Sequence, residues 1–157
     1  LTVGYFKDLC SRFMSEKSAK LAEKLTLEPP VEPVSTGSVF LDEWYEKERC
    51  LRLALAQIRA LKMKKDIKDL PSASDGESIQ AARTATGMDS PLAAEQYLNQ
   101  YRLGILDRIS PLDNFSVDAV YSYGLKLMLA ERMKKFNKDE GLASYHKIYD
   151  EILGEKK

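Results

Sequence analysis

The chain has 157 residues, 44% of them hydrophobic and 31% charged, with 24 Lys and Arg set against 24 Asp and Glu. That length buries one respectable core rather than two, and the balanced charge leaves no global field to recruit nucleic acid or an anionic membrane. Cys10 and Cys50 stand far apart without CxxC or Cys/His spacing, which argues against a zinc site and makes reduced core thiols of a cytosolic protein the expectation.

Val3, Phe6, Leu9, Cys10 and Phe13 recur at helical spacing, and Leu21 and Leu25 extend the pattern, so a first helix is predicted over about 2–24. Prolines at 29, 30 and 33 and Gly37 exclude helix from the next stretch, giving a Pro-rich connector at 26–37.

Ser38 is a candidate N-cap for the main feature, a run over 38–69 with no Gly or Pro that is rich in Leu, Ala, Lys, Arg and Glu. The prediction is one long central helix of about thirty residues and roughly 45 Å. Phe40, Trp44, Leu51, Ala54, Leu55, Ile58 and Leu61 make its apolar stripe. Glu48 interrupts that stripe, but it precedes Arg52 by four residues, the favourable orientation for a helical ion pair.

The small, polar stretch at 70–78 reads as a mobile loop, followed by a short helix around 77–86. At MDSPLAAEQYL the next start is clear: Ser90 caps, Pro91 takes the first helical position, and Glu95 lies near the positive end of the dipole. This helix is expected to run to Ile109 with Ala94, Leu98, Tyr101, Ile105 and Ile109 inward, and Ser110 and Pro111 stop it.

Asn114 or Ser116 can cap the following helix, whose face is Val117, Val120, Tyr121, Leu125, Met128, Leu129, Met133 and Phe136. A turn is predicted near Asn137 and Asp139, then a last helix with Leu142, Tyr145, Ile148, Tyr149 and Ile152. A weak echo at an offset of 76 residues pairs Asp42 with Asp118 and Tyr45 with Tyr121, as a duplicated helix unit would. No segment alternates with period two. The fold class expected is all-α, an elongated helical bundle in a single domain over 1–157, with short links favouring antiparallel neighbours.

The chain begins with Leu1 rather than Met, which suggests a processed chain or a fragment of a longer one. It has no signal-peptide pattern and no apolar run near the roughly 18 residues of a membrane span, so a soluble protein is expected.

Reacting groups are hard to find. His146 is the only histidine, set between Tyr145 and Tyr149, and reads as a packing residue. No glycine-rich phosphate loop and no nucleophile motif is present. Asp42, Glu43, Glu46 and Glu48 form an acidic helix face, but one histidine cannot supply the paired Glu-x-x-His motifs of a di-metal bundle. The expectation is a non-enzyme with no catalytic residue, no metal and no cofactor.

Two basic segments remain, Arg59 with Lys62, Lys64, Lys65 and Lys68, and Arg132 with Lys134, Lys135 and Lys138. Cations toward helix C-termini complement the macrodipole; the functional reading is contact with an acidic protein surface. No aromatic platform interleaves with the lysines, which disfavours nucleic acid.

The stretches FLDEWYEKERCLRLALAQIRALKMKKD, SPLAAEQYLNQYRLGILDRI and FSVDAVYSYGLKLMLAERMKKFNKDEG resemble the bacterial C-subunit-like family of the V/A-type ATPases (ATP synthases), which is related to the d-subunit of the eukaryotic V-ATPase. The features carrying the resemblance are Trp44, Tyr45, Glu46, Glu48, Arg52 and Arg59, then the acid-led helix at Glu95, then Tyr121, Tyr123 and Lys126. It implies an all-helical, non-catalytic subunit of a rotary ATPase, an adaptor between the central stalk and the membrane ring of proteolipids that couples ATP hydrolysis or synthesis to ion transport. Such an adaptor is cytoplasmic, peripheral at the inner face of the cell membrane through its complex, and has no membrane span. The family assigns no contact residues; on physical grounds the partner-binding candidates are Arg59, Lys62, Lys64 and Lys65. The competing expectation is a free-standing helical scaffold or regulatory protein that self-associates or binds a protein partner.

Overall fold

The computed structural model describes residues 1–63 and 75–155, with side chains through Phe136. Among the described residues the chain is all helical: α1 (Val3–Phe13), α2 (Glu16–Glu23), α3 (Val39–Lys62), α4 (Gly76–Thr86), α5 (Pro91–Ile109) and α6 (Val117–Glu155).

The single first helix expected over 2–24 is two. Met14 is extended and Ser15 caps a new start, its Oγ accepting the N–H of Ser18. The break lets α2 fold back on α1, so that Ala22 and Leu25 join Phe6 and Cys10 in one core cluster. The connector at 26–37 carries no helix, and Gly37 takes a φ of 90° just before the Ser38 cap, a left-handed turn that glycine enters without steric cost.

α3 starts where predicted, with Ser38 Oγ accepting the N–H of Leu41. It is 24 residues long rather than about thirty, ending at a Met63 cap. Its apolar stripe has run out by then, since Leu61 and Met63 are exposed. Residues 64–69 of the predicted span, Lys64, Lys65 and Lys68 among them, lie outside the described residues, as do 70–74 of the predicted loop. Asp75 caps α4: its carboxylate accepts the Glu77 N–H and the Ser78 hydroxyl and meets Lys47 Nζ at 3.4 Å. Burial would raise this carboxyl, but those three partners outweigh it and hold the group below its usual range.

α5 has the predicted bounds, with Ser90 as cap and Pro91 in the first turn. Ser116 rather than Asn114 supplies the Oγ that accepts the Ala119 N–H at the start of α6. The turn expected near Asn137 and Asp139 is absent: α6 runs for 39 residues, so it and not α3 is the longest helix among the described residues. Asn, Asp and Gly at 137, 139 and 141 cost a helix about 1 kcal/mol or less each, and no proline forces a stop.

α3, α4 and α6 run in one sense and α5 in the other. Lys47 meets Asp75 and Lys62 meets Thr86, which aligns α3 with α4. Glu95 with Arg132 and Asp107 with Lys126 set α5 against α6. Ser38 Oγ donates to Asp118 at 2.6 Å, joining the N-terminal ends of α3 and α6, the two helices that echo each other in sequence.

The core forms two clusters. One gathers Phe6, Phe40, Trp44, Leu106, Tyr121, Leu125 and Leu129. The other holds Leu51, Ala54, Leu55, Ala81, Ala82, Ala85 and Leu98. Between them in sequence on α3 lies Glu48, and on α5 Arg102. Arg102 Nε lies 3.1 and 3.0 Å from the two carboxylate oxygens of Glu48. The i,i+4 pair with Arg52 is also made, at 3.0 Å. Both cysteines are free and buried, and burial raises both thiols, Glu46 and Asp75 adding to the rise at Cys50.

Gly124 fixes how closely α1 approaches α6. A Cβ there would sit 2.6 Å from Phe6 Cε1 and 3.0 Å from Leu25 Cδ1. Gly124→Ala is therefore expected to destabilise the fold by about 1–3 kcal/mol, the usual cost of overpacking. Urea unfolding checks it, and a variant as stable as the parent would show that Phe6 yields freely.

Candidate docking groove

Of the predicted partner-binding residues, Arg59 and Lys62 fall on the exposed last turns of α3; Lys64 and Lys65 lie outside the described residues. Lys62 has a structural role as well: its Nζ donates to the Thr86 carbonyl at 2.7 Å. That carbonyl belongs to the last turn of α4, where a cation offsets the negative end of the dipole. One of three ammonium donors is thereby used.

Arg59 and Lys62 stand on the rim of a groove that periodicity did not reveal. Its floor is apolar, made by Leu55 of α3, Ala85 of α4, Leu98 of α5 and Phe136 of α6, and its volume is about 410 Å³. The N-terminal turn of α5 closes one side with Pro91, Ala94 and Glu95. Glu95, the acid on this wall, is paired with Arg132 at 2.7 Å, which leaves the rim cationic. Four helices meet here because α3 and α4 bring their C-terminal portions, and α6 its middle at Phe136, to the N-terminal end of α5. In the sequence these parts are up to 81 positions apart, from Leu55 to Phe136, and only the cations announced themselves.

The acidic face does not assemble into a site. Asp42 accepts the Thr36 N–H at 2.9 Å and the Thr36 hydroxyl at 2.8 Å, Glu46 pairs with Arg49, and Glu48 is committed to Arg52 and Arg102. Among the described residues no group of three His, Cys, Asp or Glu could hold a metal ion. His146, Tyr145 and Tyr149 lie on the part of α6 whose side chains are not described. No helix among the described residues is long and apolar enough to cross a membrane.

Set against known proteins, residues 84–156 are similar to a family described as "Protein of unknown function (DUF2764)". That stretch spans the end of α4, all of α5 and α6, and so contains one wall of the groove and part of its floor. No curated protein and no solved structure matches the chain.

Proposed function

We propose that this chain is a non-catalytic, cytoplasmic subunit of a V/A-type rotary ATPase or ATP synthase. It acts as an adaptor between the central stalk and the proteolipid ring, held at the inner face of the membrane by its complex and coupling ATP turnover to ion transport. The observation that supports this most is the cation-rimmed apolar groove where the last turns of α3 meet the middle of α6, two long helices running in the same sense. α3 and α6 reach about 36 and 58 Å at helical rise, and an uninterrupted rod transmits load better than a jointed chain. An acidic, amphipathic element of a neighbouring protein in the complex would place its apolar side on Leu55, Leu98 and Phe136 and its carboxylates against Arg59 and Lys62. The resemblance of the α3, α5 and α6 sequences to the C-subunit-like proteins supplies the identity of the complex.

Co-expression with the stalk and ring proteins of a V/A-type ATPase tests the reading. Retention of the chain through purification is expected. Arg59→Glu, which leaves the bond from Lys62 to Thr86 in place, should weaken that association about tenfold, the scale of about 1.4 kcal/mol, at unchanged helix content. Absence of retention by the parent chain would sink the adaptor. The second reading, a self-associating helical scaffold or regulator, is favoured by a pair of fully exposed apolar side chains at the opposite end of α5.

A further inference from the structure

The link at 110–116, between α5 and α6, is held by its own side chains. Ser110 Oγ donates to the Leu106 carbonyl and shares a hydrogen bond with Ser122 Oγ. The Asp113 carboxylate accepts the N–H of Phe115 at 2.9 Å. Ser116 Oγ donates to the Asp113 carbonyl at 2.8 Å and accepts the Ala119 N–H at 3.2 Å. On this ordered turn Leu112 and Phe115 are 102% and 97% exposed, with Val117 exposed beside them. Single exposed apolar residues are ordinary; two of this size, three positions apart on a braced turn, form an apolar knob, and Phe115 is of the aromatic class that interfaces enrich. Its charge is of one sign: from 110 to 125 the chain carries Asp113 and Asp118 and no Lys or Arg.

The groove at the other end of α5 has the complementary character, an apolar floor of Leu55, Ala85, Leu98 and Phe136 under Arg59 and Lys62. Knob and groove are separated by the 19 residues of α5, roughly 28 Å, so no chain can fill its own groove. We propose that a second copy of this chain fills it: Leu112 and Phe115 of one protomer enter the groove of the next, and Asp113 faces Arg59 and Lys62. Because the two surfaces differ, the contact is head-to-tail and propagates into an open chain or a closed ring. It occupies the groove that the adaptor reading gives to a neighbouring protein, so the two occupants compete.

Sedimentation velocity of the purified chain over a concentration series tests this without any other protein. The mass is expected to rise from monomer to dimer and beyond, and to fall back as salt screens the charges. Leu112→Ser with Phe115→Ser, and separately Arg59→Glu with Lys62→Glu, should each return the chain to monomer. An equimolar mixture of the two variants should form a dimer that does not extend, because one copy keeps a groove and the other a knob. Arg59→Glu alone, which leaves the bond from Lys62 to Thr86 in place, provides a groove variant independent of α4, and thermal melts establish that each variant folds. A parent chain that stays monomeric at every concentration overturns the self-contact and leaves the groove to another protein's acidic segment. So does association that survives either double variant, or a mixture that gives no dimer. Failure here leaves the adaptor standing, and failure to co-purify with the rotary complex leaves the self-contact standing.

Discussion

Replacing Glu48 by Ala is expected to lower the free energy of unfolding by about 3–5 kcal/mol, read as a drop in the urea midpoint at unchanged slope. Glu48 is 2% exposed and Arg102 5%, so the guanidinium cannot turn to water when its partner is removed. It would keep Asn99 Oδ1, 3.4 Å from Nη1, and lose the carboxylate that holds Nε and Nη2. Arg52 suffers less, because it is 40% exposed and its Nη2 also donates to the Leu27 carbonyl at 3.3 Å. A folded domain has only about 5–15 kcal/mol in hand, so the loss is a large share of the total.

The same reasoning fixes the order of related variants. Glu48→Gln keeps an acceptor of the same shape without the charge and should fall between the parent and the alanine. Glu48→Met with Arg102→Met replaces both ions by apolar chains of similar length and should recover most of the loss, since a buried pair is costly to break but cheap to replace. If the double variant is less stable than Glu48→Ala, the pair contributes net stability and the explanation from a stranded charge is wrong. The pair also joins α3 to α5 at the border between the two apolar clusters, where sliding by one turn would strand Arg102, whereas Glu48 would keep Arg52 of its own helix.

Arg52 was legible in the sequence because a partner four residues ahead on one helix is a local fact. Arg102 was not, because its 54-residue separation from Glu48 means only the packing of α3 on α5 brings them together. The bounds of α5 were legible for the same local reason, with Ser90, Pro91, Ser110 and Pro111 all punctuating in one direction. The split at Ser15 was hidden because a serine inside a continuing apolar pattern has no mark that distinguishes a cap from a passenger. At Asn137 the error ran the other way: residues that favour turns are tolerated in a helix when good helix formers flank them and no proline intervenes. The groove followed the pattern of Arg102, its cations visible as a cluster and its floor drawn from four helices.

Trp44→Ala is expected to cost about 3–5 kcal/mol, comparable with loss of Glu48 but of different origin. Trp44 is fully buried in the cluster where α1, α3, α5 and α6 meet. Truncation leaves a cavity that four helices would have to shift to fill. Its indole N–H has no hydrogen-bond acceptor among the described residues, so the side chain stabilises the fold through packing alone. Trp44→Phe retains most of the ring area and gives up a donor that gains nothing in place, so its cost should be less than half that of the alanine. The contrast with Glu48 is then measurable in one series: at Trp44 the loss should scale with the volume removed, whereas at Glu48 it should follow the charge left behind. Equal losses from Trp44→Phe and Trp44→Ala would mean that the N–H has a partner after all, and that the centre of this bundle is held by a hydrogen bond as well as by contact.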